Sequence, residues 1–522
     1  MAPKIPHAHA RKPCGPSLPF DRPRRPMSGD GSRQCLESPM RAVSSVLVLA
    51  LASCASSPKG SQGDAVRVIF TADEHGWLLG QWKKKEKKRL GGAELLMREL
   101  ESIGYDPTRD LLLSGGDSWT GPALSTLLYG EPIIDLFNRL NYDAAALGNH
   151  EFDFGLEVLK RNQERAAFPM LAANVRWADA SRKDRPYAGS TIVEAKGKKF
   201  GIIGLTNAET HKATAPHHVE KLRFEPYQGA IRREAKRLKE MGTDALVILM
   251  HDDAQLLKPM QQELQHLGLV AVLGGHIHRF DKAQMGGVAY CNPKDKLMEI
   301  CVVTVKNGMG RLEVRSLESK DREIKHPWLK ALISKSQSRL GALDTEVLGE
   351  LKDPLHARET ISESHLGQLV GISWLASVPA AKVAITNHGA IRQDLEPGQI
   401  TRRHLRSIMP FDNDLVVVTL TKAQLKSAME NKQSLTTGAD FRNGDLWVGG
   451  HPMAEDATVR VVVNSFMYAG GNDYEFKGFD PEGTLLHRSW RQPVAEFLKG
   501  MLARKEPLSR ELLQQRWKAL NP

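Results

Sequence analysis

The chain has 522 residues, 41% apolar and 25% charged, with a formal net charge of +11. That length exceeds what one ordinary hydrophobic core serves, so two folded units are expected, and the apolar share excludes a chain that is disordered throughout. The positive charge suits anionic substrates but does not argue for a nucleic-acid polymer as partner, because residues 1–54 alone hold eight Lys/Arg against three Asp/Glu.

Residues 1–40 are rich in Pro, Arg and Ser without periodicity and read as a disordered leader. Met40-Arg41, an apolar run over 43–51 and Leu51-Ala52-Ser53-Cys54 then form a secretory signal too short to span a membrane. The ending resembles a bacterial lipobox, which would put a lipid anchor on Cys54 and make the product an exported periplasmic or cell-surface lipoprotein. A plain signal peptide with an incidental cysteine is the alternative, and Met27 or Met40 is an alternative start. Residues 55–63 read as a flexible tether. With Cys14 and Cys35 in the leader, Cys291 and Cys301 remain. They form either a disulfide across a hairpin turning at Asn292-Pro293-Lys294-Asp295 or two buried thiols.

Residues 65–70 are a strand pattern running into Asp73-Glu74-His75. An Asp and a His two apart in extended chain point to one side and can reach one ion. Residues 83–89 carry six basic residues around Glu86. They are either a solvated loop or an electropositive rim that steers phosphorylated substrates. Residues 91–103 are patterned as an amphipathic helix. A second strand, 110–114, ends in Gly115-Gly116-Asp117, and the two oxygens of Asp117 suit a bridge between metals. The helical region 124–140 leads to a third strand, 142–147, and to Gly148-Asn149-His150-Glu151-Phe152-Asp153. There Asn149 offers a carbonyl oxygen, His150 an imidazole, and Asp153 a partner to orient that ring. Residues 190–195 and 200–206 pair as a hairpin, and 228–241 is a helix. The strand 245–250 ends in His251, and 269–273 ends in Gly274-Gly275-His276-Ile277-His278, again an alternating pair. Any one of these is ordinary loop chemistry. Five apolar runs in order, each ending in metal-binding side chains at the carboxyl edge of a sheet, are not.

Asp73-x-His75, Gly116-Asp117, Gly148-Asn149-His150-Glu151, His251 and Gly275-His276-x-His278 resemble the calcineurin-like metallophosphoesterases. Phe152-Asp153 brings the resemblance nearest to the bacterial 5′-nucleotidase branch. The second half continues it in Thr386-Asn387-His388-Gly389-Ala390-Ile391-Arg392, in Met409-Pro410-Phe411-Asp412-Asn413-Asp414-Leu415-Val416, and from Asn464-Ser465-Phe466 to Gly470-Gly471-Asn472-Asp473-Tyr474. The resemblance implies an α/β fold: a four-layer α/β/β/α sandwich over 64–320 and an α+β substrate-binding domain over 351–520; the stretch between, 321–350, is charged and helical in pattern and reads as the linker, with one helix from about 328 to 343. It implies two divalent ions, zinc, manganese or similar. Asp73, His75, Asp117 and His278 would hold one; Asp117, Asn149, His251 and His276 the other; His150 and Asp153 would be catalytic.

In the second half, strands are expected at 383–386, 415–420 and 459–463, and a helix over 421–431 with Thr421 as its N-cap. The resemblance implies Asn387 and Arg392 on polar groups of the substrate and Phe411 and Phe466 around a base, although by residue type alone both rings read as core. Its Gly-Gly-Asp is here Gly471-Asn472-Asp473, so the ribose acid is either Asp473, displaced by one, or replaced by Asn472. Glu363 to Gln368 follows the family's Glu-x-x-x-Gly-Asn stretch, but Ile372-Ser373 stands where Asp-Ala is usual. The function implied is removal of phosphate from nucleoside 5′-phosphates. The alternatives on this scaffold are a 2′,3′-cyclic-nucleotide phosphodiesterase, a nucleotide-sugar pyrophosphatase or a sulfur-ester hydrolase. A surface nucleotide-binding protein is the non-enzyme alternative.

Overall fold

The computed structural model describes residues 65–521 apart from 84, 85, 342–344 and 359. The leader, the lipobox with Cys54, Cys14 and Cys35, the tether, and Lys84 and Lys85 of the basic run lie outside the described residues.

Sheet one begins with β1 (Val66–Thr71), β2 (Leu111–Ser114), β3 (Ala144–Ala146) and β4 (Met170–Leu171). Sheet two holds β5 (Ser190–Ala195), β6 (Lys198–Leu205), β7 (Ala245–Met250), β8 (Leu269–Gly274), β9 (Asp281–Met285) and β10 (Val288–Asn292). The chain then returns to sheet one with β11 (Glu299–Lys306) and β12 (Met309–Ser316). The orders are β12-β11-β1-β2-β3-β4 and β9-β10-β8-β7-β6-β5. β1 to β4 run parallel, as do β6, β7, β8 and β10, so the ends of β1, β2 and β3 share one edge, as do those of β7 and β8.

Alternation along the strands makes the layers. Val66, Val68 and Phe70 of β1 and Leu111 and Leu113 of β2 face Phe200, Ile202, Val247 and Leu249 of sheet two. The intervening Ile69 and Leu112 face α1 (Ala93–Ser102) and α2 (Glu131–Leu140). Ile203, Leu246 and Ile248 face α3 (Tyr227–Glu240) on the far side. Strands buried on both faces must be apolar at both parities, and each such side chain contributes ~1.5–3 kcal/mol on burial. Helix, sheet, sheet and helix therefore stack in four layers.

Cys291 and Cys301 are joined as a disulfide, Cα to Cα 6.5 Å. It does not cross a hairpin. Cys291 is in β10 of sheet two and Cys301 in β11 of sheet one, so the bond staples one sheet to the other within their shared core.

The linker helix, α4 (Pro327–Leu340), is shorter than expected. Proline opens its first turn and Gly341, at φ 67°, ends it, since only glycine takes that conformation freely. Leu329, Leu332 and Ile333 pack it onto the first core. The second domain is a sheet of β13 (Val383–Asn387), β14 (Asp414–Thr421), β15 (Ser434–Thr437), β16 (Thr458–Asn464) and β17 (Thr484–Ser489), in the order β15-β13-β16-β14-β17. Its cores are separate from those of the first domain. Thr421 caps α5 (Lys422–Glu430) as expected, and Gln424 completes a capping box. The domains touch where helix Ala123–Thr126 meets helix Arg402–Ile408, and the Ala123 N–H donates to Ser407 Oγ at 2.8 Å.

Candidate dimetal centre and substrate cavity

The metal-ligand candidates sit where the strands stop. Asp73, His75, Asp117, His276 and His278 all take left-handed backbone conformations, with φ of 53°, 45°, 56°, 70° and 50°. This corrects the expectation that Asp73-x-His75 and His276-x-His278 aim their side chains by extended alternation. The loops are locked to one another instead: the Asp73 N–H donates to Gly116 O at 3.0 Å and the His75 N–H to Asp117 O at 2.9 Å. Each non-glycine residue held this way costs about 1–3 kcal/mol, which only an over-determined surrounding sustains, and such residues concentrate at functional sites.

Two groups of donors result. Ligand atoms of Asp73, His75, Asp117 and His278 lie within 4.8 Å of one another, and so do those of Asp117, His251 and His276. Asp117 belongs to both. The two imidazoles of the His-x-His pair therefore go to different groups. His75 Nδ1 bonds Thr120 O at 3.0 Å and His251 Nδ1 bonds Gly115 O at 2.8 Å. A carbonyl only accepts, so each Nδ1 carries a proton and each Nε2 is the atom left to face the site. His75 Nε2 faces His278 Nε2 at 2.9 Å, and His251 Nε2 lies 3.1 Å from Asp117 Oδ2. Asn149 Oδ1 is buried and makes no hydrogen bond. Gly148 lets these groups close in: a Cβ there would stand 2.2 Å from Asp117 Oδ1 and 2.8 Å from the His251 ring.

The field at this spot favours a cation. Burial opposes a charged His251, yet Asp117, Asp73 and Glu151 outweigh it and raise the ring to about 10. Burial and the neighbouring His251 lower His276 to about 4.

His150 stands beside the two groups with Nδ1 2.6 Å from Asp153 Oδ2, and the Thr214 hydroxyl donates to Asp153 Oδ1 at 3.0 Å. Burial disfavours the imidazolium, but the carboxylates of Asp153 and Asp117 hold His150 above its ordinary range.

A cavity of about 790 Å³ opens between the domains, with Asp117, Asn149, His150, His276 and His278 on one wall. Asn387, Arg392, Phe411, Phe466 and Asn472 line the other. Arg392 Nη2 comes within 3.3 Å of His75 Nε2 and 3.5 Å of His150 Nε2. The Phe411 ring lies nearly parallel to that of His150, at 22° and 5.8 Å between centroids. Phe466 rests on Gly471, where a Cβ would meet its ring at 2.3 Å. Asn387 is fixed from two sides, donating to Asn472 Oδ1 at 3.2 Å and accepting from Asn464 Nδ2 at 3.1 Å. Asp473 is elsewhere. Successive left-handed residues, Asn472 at φ 56° and Asp473 at 59°, turn its carboxylate out to Lys212 at 3.0 Å, with 70% of the side chain exposed. None of the described residues of the basic run lines the cavity, and Lys88 is paired with Glu86 and Glu318.

Residues 66–280 match the calcineurin-like phosphoesterases and residues 347–443 the 5′-nucleotidase C-terminal domain. The chain belongs to this family. It is a metal-dependent phosphoester hydrolase. A 5′-nucleotidase of Vibrio cholerae is 25% identical over 511 residues, covering 83% of this chain and 90% of that protein. The human 5′-nucleotidase is 25% identical over 456 residues, 74% of this chain and 79% of its own. The fold is shared with a 5′-nucleotidase precursor of Thermus thermophilus, at TM-score 0.73 and 22% identity over 84% of this chain and 97% of that one. It is shared also with a sulfate thiohydrolase of Thermus thermophilus, at TM-score 0.69 and 18% identity over 84% and 94%.

Divalent metal ions are the cofactors of these phosphoesterases, and this donor set fits them. Facing imidazole nitrogens, a shared carboxylate and the amide oxygen of Asn149, which has no hydrogen-bond partner among the described residues, are groups that a cation would satisfy together.

Two carboxylates of this phosphoesterase had no role in the sequence reading. Glu151 accepts from the backbone N–H groups of Gly148 at 2.6 Å and of Asp117 and Ser118 at 2.8 Å each, and burial raises it to about 7. It ties the loops after β2 and β3 together. Glu74 accepts from Thr71 and Ser114 hydroxyls beneath Asp73, and burial raises it to about 8. Their places beside Asp73 and His150 were the only signal. Arg491, which lines the cavity beside Phe411, gave none.

Proposed function

We propose that the chain removes phosphate from nucleoside 5′-phosphates. The observation that carries this reading is Arg392 with Phe411: a guanidinium and an aromatic ring from the second domain reach His75 and His150 in the first, within one cavity. In this reading Asp73, His75, Asp117 and His278 hold one divalent ion, and Asp117, Asn149, His251 and His276 the other. Zinc or manganese suits a set of imidazole and oxygen donors without thiolate. Bound there, the pair would supply a nucleophile from water near neutral pH and neutralise charge on the phosphoryl oxygens.

The chain's own residues do the rest. Arg392 grips phosphoryl oxygens with its planar fork. His150, held by Asp153 and kept protonated, donates from Nε2 to the leaving oxygen. Phe411 and Phe466 bracket the base, which offers a π-face whatever its identity. Asn387 and Asn472 face the sugar, and the outward turn of Asp473 favours the amide of Asn472 over that carboxylate as the ribose contact.

The phosphoesterase domain spans 64–320, the linker 321–350 and the substrate domain 351–520. Export follows from the signal, with a lipid on Cys54. No helix among the described residues is long and apolar enough to cross a membrane. The test is a panel of nucleoside monophosphates, cyclic nucleotides, nucleotide sugars and sulfur esters, with zinc or manganese added back after chelation. Nucleoside 5′-monophosphates should give the highest kcat/KM; a higher value for any other class would replace the reading. Loss of the membrane-bound fraction in Cys54→Ser tests the anchor.

A further inference from the structure

Phe411 sits on a loop, not on a strand or helix, and a ring on a loop stacks well only if the loop is fixed. The fixing comes from behind, from residues 490 and 491. The Phe411 carbonyl accepts two hydrogen bonds, from Trp490 Nε1 at 2.8 Å and from Arg491 Nη1 at 2.9 Å. Arg491 Nη1 also donates to Met409 O at 2.9 Å, and its Nη2 pairs with Asp412. One guanidinium thus holds the residues on both sides of Pro410-Phe411. Trp490 is fully buried, its own carbonyl accepts from Trp374 Nε1 at 2.9 Å, and its N–H donates to Asn413 O at 3.1 Å. The second ring is tied to the same loop, since Ser465, the neighbour of Phe466, donates to Asn413 Oδ1 at 3.3 Å.

A guanidinium with only 15% of its side chain exposed is costly to bury unless its donors are used. Here they are used on backbone carbonyls of the loop that presents the ring. We propose that Arg491 and Trp490 are positioning residues that set the aromatic wall of the cavity and thereby the affinity for the base, without touching the phosphoryl group. This rests on the reading of Phe411 as a base contact. A lysine could not replace Arg491, because a single ammonium cannot span both carbonyls and the carboxylate in the guanidinium's geometry.

The test compares AMP with ribose 5-phosphate, which has the same phosphate and sugar and no base. KM for AMP and the inhibition constant of ribose 5-phosphate are measured for the wild type, Arg491→Gln, Arg491→Lys, Trp490→Phe and Phe411→Ala. Arg491→Gln and Arg491→Lys should each raise KM for AMP by about tenfold, a loss of ordered stacking of the kind that alanine substitution removes, with kcat and the ribose 5-phosphate constant within twofold of wild type. Trp490→Phe keeps the buried bulk, removes one donor, and should shift KM for AMP in the same direction by about threefold. Equal weakening of both ligands in the Arg491 variants would overturn the proposal, since it would mean a phosphate contact or a general loss of structure. If Phe411→Ala raises KM for AMP while the Arg491 and Trp490 variants leave it unchanged, the proposal falls and the base reading stands. If Phe411→Ala itself leaves KM unchanged, the base reading is wrong.

Discussion

The two walls of the cavity are fixed by different means. On the metal wall, the donors come from five strand ends of one domain, and backbone bonds between loops and the Glu151 carboxylate hold them. On the facing wall the rings of Phe411 and Phe466 are only half-buried; Phe411 stands on a loop held from behind by side chains, and Phe466 on the short helix Ser465–Tyr468 tied to that loop through Ser465. The contrast matches what the proposed function asks of each wall. Caging two like-charged ions requires donors within tenths of an ångström, so the backbone itself is forced into left-handed conformations and cross-linked. Stacking on a base, as the proposed function assigns to this wall, tolerates more, so side-chain bonds suffice, and the wall can belong to a second domain that meets the first through a helix contact and the Lys212–Asp473 pair.

That contrast can be broken by substitution, and the metal wall should break hardest. Asp117→Asn removes the shared carboxylate. It should cut kcat/KM by about 10³–10⁴-fold, the several kcal/mol that metal-assisted charge stabilisation supplies, and mass spectrometry of the bound ions should find fewer than two per chain. Two ions retained would separate Asp117 from both sites. His150→Ala should lower kcat by about 10²–10³-fold with little change in KM, as expected for a group acting on the leaving oxygen.

Arg392→Gln attacks the other wall. Losing a charged hydrogen-bonding fork should cost about 10–100-fold in kcat/KM, while both ions stay bound. An equal loss of metal would mean that the second domain helps to hold the ions. Asp153→Asn sharpens the assignment of the acid. The carboxylate raises His150, so the protonated ring persists to a higher pH than an ordinary histidine. Removing the carboxylate lowers that pKa, so the alkaline limb of kcat/KM should move to lower pH. An unmoved limb would take His150 out of the proton transfer.

The smallest effect on activity should come from the disulfide. Cys291→Ser with Cys301→Ser unstaples the two sheets of the first domain. By loop-closure entropy it should lower stability by about 2–3 kcal/mol, read as a fall in Tm, with kcat/KM near wild type. A matching loss of bound metal would show that the staple also serves the site.

Much of the metal wall was legible because its grammar is local. An apolar run followed by Gly and then Asp, Asn or His marks a strand end with a donor on it, and five such ends marked one edge before any coordinates. The alternation used to aim Asp73 with His75 was the wrong reason for a right neighbourhood, because the backbone leaves the extended region as soon as the sheet stops. The disulfide pairing was open, and the hairpin assumed for it was wrong. Ten residues of separation look like a turn, yet the chain uses them to pass from one sheet to the other.

Residue order and type alone determined the donors, the strand periodicity that buries both faces of each sheet, and the family resemblance, because these depend on neighbours a few positions apart. Tertiary structure alone decided that Asp473 turns away to Lys212, that Glu151 ties the loops after β2 and β3 together, and that Arg491 stands behind Phe411. Those relations join residues tens to hundreds of positions apart, and only the packing of each domain, and of one domain on the other, brings them within hydrogen-bonding reach.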